Sequence, residues 1–416
     1  MERTYESAAA LVGGATGPLA PHLGLFVALL ISQQYTASVT YIKARHTLAL
    51  DRWLTKRRIV LTGLTDVHLE AYQQRRRRRQ QCIQPGTRRI EWCAVTQLLQ
   101  FLRDQGVCPI VRAQTTAAGD LVASYLRYLQ DQQGLATTTI ERYTTVAKHF
   151  LDEQFGSGAV DLSALRANDG IAFIRRQAKR LQPPALKCVT NALRSFLRYA
   201  QYRGEVTTGL AAAVPAVAAW ATTPALPKAI SPEHAQQAID SCNLRTAAGL
   251  RDRAVLLLLA RLGLRAHEII ALQLEDCDWD CGHLRIRSKC RREQLLPIPV
   301  DVGEAIAAYL RHGRPQTPIR DLFLRSMAPI RGLMPGSDGV GTIVRHALQR
   351  AGVVSPHRGS HQFRHALAVR MLQRGASLAE IGEVLRHQSP QTTSIYARVD
   401  IEALRPLAQP WPGGAR

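Results

Sequence analysis

Acidic residues are scarce in this 416-residue chain. The 32 Asp and Glu residues stand against 54 Lys and Arg residues, which gives a formal net charge of +22 at pH 7. A balance this basic predicts a polyanionic partner and favours nucleic acid over a membrane. A merely solubilising surface is the alternative, and it is disfavoured because the excess is large and clustered along the chain.

Cysteine is also sparse. The chain has 8 cysteines, scattered from Cys82 to Cys290, and this pattern predicts reduced thiols in a cytosolic protein. Cys277, Cys281 and His283 lie close together, but their spacing matches no standard zinc pattern and no second cluster accompanies them. We therefore expect no metal.

Long hydrophobic runs are missing too. The apolar run Leu23 to Ile31 is too short to span a bilayer, no basic segment precedes it, and Arg261 interrupts the run from Val255 to Leu264. The sequence therefore predicts no membrane or targeting segment. The hydrophobic fraction of 46% is nevertheless enough to fill the cores of two to three domains.

A weak internal repeat organises the first half of the chain. The segment from Gln33 to Ser38 resembles the segment from Gln132 to Thr137, and in each copy a helical pattern, a leucine-bearing turn and a basic run follow. We predict that the basic runs contact phosphates, with a solvated helix face as the alternative. The predicted DNA contacts are Arg75, Arg76, Arg77, Arg78 and Arg79 in the first copy, and Arg175, Arg176, Lys179 and Arg180 in the second.

The stretch from Gly359 to Asp400 carries the most chemistry. Ser360 and the Ser377–Glu380 capping box predict the starts of two helices, and Gly375 separates them. His361 and Arg364 leave the same face of the first helix. His387 follows the second helix, and Tyr396 comes after a polar turn. A tyrosine hydroxyl is a poor nucleophile unless cations lie near the group it attacks, so we expect an anionic substrate.

Two further cations lie upstream. Arg265 follows a helix that ends at Gly263, and Lys289 lies in the turn between an alternating strand at His283 to Arg287 and a second apolar run at Gln294 to Val300. Glu268 is expected to support Arg265.

Four segments, LGLRAHEI, RSKCRRE, HQFRHALA and LRHQSPQTTSIY, are similar to the signature regions of the phage-integrase-type tyrosine recombinases. Lys289 follows Arg265 by 24 residues, Arg364 follows His361 by 3, and Tyr396 follows His387 by 9, all of which fit the family pattern. The resemblance is strong over residues 227–407 and moderate over residues 119–202. Arg386 departs from it, because the family usually has glycine at this position.

The resemblance implies a mostly α, multidomain fold. It combines helical SAM-like core-binding domains with a mixed α+β catalytic domain that carries a small β-hairpin sheet. The expected boundaries are a flexible lead-in at 1–19, an additional N-terminal helical DNA-binding unit at 20–112, the core-binding domain at 113–206, a linker at 207–227, the catalytic domain at 228–408 and a tail at 409–416.

The resemblance also implies a role for each matching residue. Arg265 and Arg364 would hold the phosphate, since a guanidinium offers a bidentate fork that lysine lacks. Lys289 would protonate the departing 5′ oxygen, and His361 would take or return the tyrosine proton. His387 would hydrogen-bond the phosphate, and Tyr396 would join to the 3′ phosphate. This chemistry needs no cofactor.

The implied partner is double-stranded DNA, bound by a homotetramer on paired sites, and whether accessory recombinases are required is left open. Ile401, Leu404 and Leu407 form an apolar stripe that would dock on a neighbouring protomer, with packing in cis as the alternative. A cytoplasmic protein, associated with the nucleoid when bound to DNA, is expected. Relaxation of supercoils by a type IB topoisomerase and DNA binding without catalysis are the competing functions.

Overall fold

The computed structural model describes residues 4–79, 85–109, 116–156, 158–206, 209–217, 229–287, 293–335, 339–355, 359–387 and 389–399. The chain forms two compact units. One contains Met1–Pro109 together with Ala225–Arg416, and the other contains Ile110–Pro224. The fold is mostly α with one small antiparallel sheet, as predicted. None of the described helices is long and apolar enough to cross a membrane.

Five helices build the N-terminal part of the first unit: α1 (Tyr5–Gly13), α2 (Ala20–Ser32), α3 (Ala37–Arg57), α4 (Asp66–Arg79) and α5 (Pro85–Asp104). Ala8 and Val12 of α1 are buried in the same core as α2 and α3. The carboxylate of Asp51 on α3 accepts hydrogen bonds from the backbone of Gly17 and Leu19, at 3.0 and 2.8 Å. Residues of the expected flexible lead-in therefore pack against α3, which supplies a partner for both their apolar and their polar groups.

The second unit contains α6 (Ala117–Arg127), which continues into a π-helical turn, and then α7 (Thr137–Phe155), α8 (Ala167–Ala178), α9 (Pro183–Tyr202) and α10 (Leu210–Ala213). Leu210, Ala211 and Val214 are buried in the core of this unit. Residues 210–214, which belong to the linker expected at 207–227, thus pack as part of the domain. Residues 207–208 and 218–228 lie outside the described part of the chain.

The internal repeat is visible as a shared arrangement. In each copy a long helix, α3 or α7, is followed by a 3₁₀ turn, Leu61–Gly63 or Leu162–Ala164, and by a shorter helix, α4 or α8. An aromatic pair joins the long helix to the short one in both. Trp53 meets Tyr72 at 5.5 Å between ring centroids, and Phe150 meets Phe173 at 5.3 Å, both edge to face.

The C-terminal part of the first unit is mixed α and β. Its helices are α11 (Pro232–Asp240), α12 (Ala247–Arg261), α13 (Ala266–Ala271), α14 (Val300–His312), α15 (Val340–Arg350), α16 (His361–Gln373), α17 (Leu378–Val384) and α18 (Pro390–Thr393). The strands are β1 (Cys277–Asp278), β2 (His283–Arg287) and β3 (Glu293–Pro297), paired antiparallel in the order β1-β2-β3. Helix α12 is buried along most of its length and organises the core.

Hydrogen bonds connect the two parts of this unit. Gln34 Nε2 donates to the carbonyl of Gln316 at 3.3 Å, and the backbone N–H of Ile330 donates to the carbonyl of Gln33 at 3.4 Å. The described residues of the regions expected as separate domains at 20–112 and 228–408 therefore belong to one compact unit.

In the stretch that begins at Gly359, helices α16 and α17 start where the sequence predicts. Ser360 precedes α16, Gly375 has φ +86, and Ser377 and Glu380 form the capping box of α17. The polar turn expected before Tyr396 is instead helical. Proline at the first position of a helix costs no hydrogen bond, so Pro390 starts α18, and a 3₁₀ segment at Ser394–Val399 then carries Tyr396.

Candidate active site

Arg265 is positioned by a glycine turn between α12 and α13. Gly263 has φ +59, and a Cβ there would lie 2.8 Å from Leu385 Cδ2 and 2.9 Å from Leu367 Cδ2. Only glycine fits this conformation and this close approach. Arg265 then caps α13, and its backbone N–H donates to the carboxylate of Glu268 at 2.8 Å.

Glu268 connects two arginines. Its Oε1 accepts from Arg265 Nη1 at 2.8 Å, and its Oε2 accepts from Arg386 Nη2 at 3.0 Å. Burial acts to raise the pKa of Glu268, but the charge of Arg386 and the hydrogen bonds and charge of Arg265 outweigh it and lower that pKa. The ionised carboxylate fixes the Arg265 guanidinium, whose Nη2 also donates to the Arg386 carbonyl at 3.2 Å.

Arg386 stands where the family usually has glycine, and the backbone shows why that position is special. Its φ is +55, in the left-handed region that favours glycine. The Arg386 side chain is only 6% exposed and pairs with Glu268. We infer that this buried ion pair offsets the strain of a left-handed arginine.

This inference predicts that replacement by glycine has different effects on the free energy of unfolding at two arginines of similar backbone conformation, Arg386 and Arg58. We expect Arg386→Gly to lower the free energy of unfolding by about 2 kcal/mol, since losing one partner of a buried ion pair costs about 3 kcal/mol and relieving the left-handed conformation returns about 1 kcal/mol. Arg58 has φ +54 and is exposed, so Arg58→Gly should leave stability unchanged or raise it. Urea unfolding measures both. Equal shifts in the two variants would contradict the inference.

Arg364 is the most deeply buried cation of the site, at 3% exposure. Its guanidinium donates to the carbonyls of Gly263 and Leu385, which joins α16 to the Gly263 turn and to the end of α17. Burial first, and then the neighbouring charges of Arg265 and Arg386, lower the pKa of Arg364 to about 9. It therefore remains charged at neutral pH.

Tyr396 lies against two imidazole rings, those of His365 and His387. Its hydroxyl lies 2.9 Å from Nδ1 of His365, and its ring is parallel to that of His387, with 6.4 Å between centroids and 6° between planes. The His361 ring lies 6.3 Å from the His365 ring, one helical turn earlier. Nδ1 of His387 is bonded to Thr393 Oγ1 at 2.7 Å.

Burial and the neighbouring cations together keep these histidines neutral. Burial, followed by the charges of Arg364 and Arg265, lowers the pKa of His361 below its ordinary value. The same causes, with further neighbours added, lower the pKa of His387 to about 4. Burial raises the pKa of Tyr396, and the charge of Arg364 acts against that rise. At neutral pH the site therefore combines protonated phenol, neutral imidazole and cationic guanidinium groups.

A groove of about 1090 Å³ opens over these groups, lined in part by Arg265, His361, Arg386 and His387. Tyr396 is 1% exposed and is not among the residues that line the groove. A groove lined by guanidinium and imidazole donors suits a phosphate group. Five of the six predicted catalytic residues, Arg265, His361, Arg364, His387 and Tyr396, are thus brought together, and Lys289 lies outside the described residues.

The two predicted basic runs differ in their surroundings. Arg76 Nε is bonded to Glu91 at 2.8 Å, and Arg75 is partly buried, whereas the side chains of Arg77 to Arg79 lie outside the described part. At the end of α8, Arg175, Arg176, Lys179 and Arg180 are all exposed, and Arg176 pairs with Glu153. The apolar stripe of Ile401, Leu404 and Leu407 also lies outside the described residues.

A metal site does not emerge from the described side chains. Cys277 is buried and Cys281 is exposed, and within the described ranges no three His, Cys, Asp or Glu side chains are grouped so as to hold a metal ion.

The role of His365 was not predicted from the sequence, although its side chain makes the hydrogen bond to Tyr396. A signal was present, because His365 lies four residues after His361 and therefore on the same face of the helix. Thr393, the partner of His387, was missed as well, since its position depends on α18.

The chain is similar to known integrases and recombinases. Residues 228–402 match the family model described as "Phage integrase family". A putative integrase/recombinase, y4rA, from Sinorhizobium fredii is 43% identical over 403 residues, which cover 96% of each chain. Tyrosine recombinase XerD from Listeria innocua is 27% identical over 291 residues, covering 67% of this chain and 94% of that protein.

Two solved structures share the fold. XerH site-specific recombinase, bound to a palindromic difH substrate, matches with a TM-score of 0.53 and 16% identity, covering 72% of this chain and 98% of that one. A lambda integrase fragment, solved as a dimer bound to a COC′ core site, matches with a TM-score of 0.51 and 15% identity, covering 67% of this chain and 94% of that one.

Proposed function

The chain belongs to the phage integrase family and is a tyrosine recombinase, and from this premise we propose that it cleaves and rejoins DNA at specific sites through a 3′-phosphotyrosyl intermediate. The observation that carries the proposal is the set of groups around Tyr396: the His365 ring contacts its hydroxyl, the His387 ring stacks on its ring, and the charge of Arg364 acts on its phenol. The charges of Arg265 and Arg364 both act on His387.

Each group has a task in this scheme. Attack by the Tyr396 oxygen on a DNA phosphodiester builds negative charge on the non-bridging oxygens, and preorganised guanidinium groups stabilise that charge. Arg265 is held for this task by Glu268, and Arg364 by its two carbonyl partners. Neutral His361 and His387 can donate hydrogen bonds to the phosphate from the groove wall.

The chemistry conserves the energy of the bond that it breaks. The P–O5′ bond is exchanged for a P–O bond to Tyr396, and the 5′ oxygen leaves as a hydroxyl after taking a proton, for which we propose Lys289 as the donor. Attack by a 5′ hydroxyl of another strand reverses the exchange and releases Tyr396. The two transesterifications need no external energy source, and we propose that the enzyme works without a cofactor.

The proposed partners follow from the reaction. We propose double-stranded DNA as the substrate, a homotetramer on two paired sites, and docking of the C-terminal tail on a neighbouring protomer. A role in integration or transposition of a mobile element, in the cytoplasm at the nucleoid, fits this activity. The additional N-terminal helices, which share the arrangement of α7 and α8, are proposed to contact DNA as well.

The proposed binding of DNA phosphates by α8 is testable by salt dependence. We expect the double variant Lys179→Ala/Arg180→Ala to reduce the slope of log K against log salt by about 2, because each phosphate that a cation neutralises adds about 0.9 to that slope. Arg176→Ala is the matched control from the same run and should change the slope less, because Arg176 already pairs with Glu153. Fluorescence anisotropy with a labelled duplex measures the slope. An unchanged slope in the double variant would mean that other cations bind the phosphates.

The proposed function itself is tested with nicked suicide duplexes that together cover the DNA flanking the gene. We expect an SDS-resistant protein–DNA complex on a small subset of them, with a free 5′ hydroxyl on the released strand. Absence of the complex on every duplex would contradict recombination. Relaxation of a supercoiled plasmid that lacks any of the cleaved sites would instead favour a topoisomerase.

A further inference from the structure

The side chain that contacts the Tyr396 hydroxyl is one that the function above does not use. His365 follows Arg364 on α16, is partly buried, and places Nδ1 2.9 Å from the Tyr396 oxygen. The two rings meet edge to face, with 5.7 Å between centroids and 61° between planes. This distance lies within hydrogen-bond range for O–H···N.

The protonation states fix the direction of this hydrogen bond. Burial raises the pKa of Tyr396, so the phenol keeps its proton at neutral pH. Burial, followed by the charges of His361 and Arg364, lowers the pKa of His365, so its ring is neutral. The phenol therefore donates and Nδ1 accepts, which leaves the imidazole proton on Nε2. This is the arrangement that a general base requires before the reaction.

We propose that His365 is the general base that takes the proton of Tyr396 during strand cleavage and returns it during religation. The inference rests on the proposed function. In cleavage, Nδ1 takes the phenol proton while the Tyr396 oxygen forms its bond to phosphorus. The P–O5′ bond breaks, and its electron pair leaves on the 5′ oxygen, which takes a proton from Lys289. Religation reverses each transfer, so the two steps together consume no proton.

The other two imidazoles are less well placed for this role. Nδ1 of His387 is bonded to Thr393, and its ring lies parallel to the phenol ring, at 6.4 Å. His361 lines the groove, one turn of helix away from His365. Both are therefore better suited to the phosphate than to the phenol.

A base at this position makes a prediction about pH. The groups whose charge acts on His365 are His361 and Arg364 of its own helix, and it also meets the Tyr396 ring and interacts with His387. Protonation of His365 removes its ability to accept a proton. The cleavage rate should therefore fall as pH drops through the pKa of His365, which lies below its ordinary value.

The test is single-turnover cleavage of a nicked duplex that the wild type cleaves. We expect both His365→Ala and His365→Gln to slow cleavage by a factor of about 10² to 10³, because general base catalysis contributes on that order. Glutamine can accept the phenol hydrogen bond but cannot take the proton, so it separates base catalysis from positioning. His346→Gln, at an exposed position on α15, is the control for loss of a histidine, and thermal melting confirms that each variant folds.

Two readouts distinguish a base from a structural residue. The first readout is the pH–rate profile, whose acid limb should disappear in His365→Gln. The second is a substrate with a 5′-bridging phosphorothiolate, whose sulfur leaves without needing a proton. This substrate compensates only for loss of the proton donor Lys289, so it should not restore the cleavage rate of His365→Gln. The same substrate should restore cleavage by Lys289→Ala.

Several results would overturn the assignment. Wild-type rates in His365→Gln, rescue of that variant by the phosphorothiolate, or an unchanged acid limb would each exclude His365 as the base. Faster cleavage by His365→Ala would mean that the contact restrains Tyr396. If the wild type itself cleaves no duplex, the proposed function fails, which is a different outcome from cleavage that is indifferent to His365.

Discussion

Replacing Tyr396 with phenylalanine is expected to abolish the covalent protein–DNA complex, with a loss of cleavage of about 10⁶-fold, the order seen when a catalytic nucleophile is removed. Phenylalanine keeps the ring that packs between His365 and His387 but has no oxygen to attack phosphorus. Binding to the duplex should persist, because the guanidinium groups remain. SDS gels measure the covalent complex, and gel-shift assays measure binding.

A second buried tyrosine provides the control. Tyr125 is fully buried, and its hydroxyl donates to Ser195 Oγ at 2.8 Å. Tyr125→Phe therefore also removes one buried hydroxyl and its hydrogen bond, but in the unit that does not contain the candidate site. It should retain the covalent complex. A complex that persists in Tyr396→Phe would show that another side chain is the nucleophile.

Replacing Arg364 with lysine should have the second largest effect. Lysine keeps the charge but cannot make the fork that holds two acceptors, so we expect cleavage to fall by about 10³-fold, as when a preorganised donor to a developing anion is lost. The carbonyls of Gly263 and Leu385 also lose their donors, which should lower the free energy of unfolding by about 2 kcal/mol. Single-turnover cleavage and urea unfolding measure the two effects separately.

The variant Arg251→Lys is the control that separates the loss of stability from the loss of cleavage. Arg251 is a buried arginine on α12, and it donates to Asp252 and to the carbonyl of Leu324 at 3.0 Å. Arg251→Lys should lose comparable stability while the folded protein cleaves at the wild-type rate. If Arg364→Lys cleaves as fast as Arg251→Lys once both are folded, Arg364 has a structural role only.

Local signals in the sequence were sufficient for several elements of the site. The Ser377–Glu380 box marks the start of α17, and Pro232 after Ser231 marks the start of α11, because a helix cap involves residues within one turn of each other. The same reasoning placed His361 and Arg364 on one face of α16. These predictions depend on short-range geometry alone.

Other features depend on partners that are distant in sequence. Helix α1 forms because Ala8 and Val12 meet the core built by α2 and α3, and an alanine-rich segment shows no pattern strong enough to predict that packing. The left-handed Arg386 pairs with Glu268, which lies 118 residues earlier. No local rule assigns an arginine to that region of backbone space, because its occupation is normally unfavourable.

The roles of the site residues also depend partly on local spacing and partly on tertiary packing. Spacing singled out the arginines and Tyr396 as candidates, but it could not predict which histidine contacts the phenol. That choice is made by the position of the Ser394–Val399 segment against α16, which places the Tyr396 hydroxyl next to His365. The proton acceptor expected at His361 is therefore reassigned by our proposal to a residue one turn later.

The most direct test of the central claim is mass spectrometry of the covalent complex trapped on a nicked suicide duplex and digested with protease and nuclease. We predict a nucleotide joined through its 3′ phosphate to Tyr396, with no other modified residue. A nucleotide attached to a different side chain, or attached through a 5′ phosphate, would contradict the account.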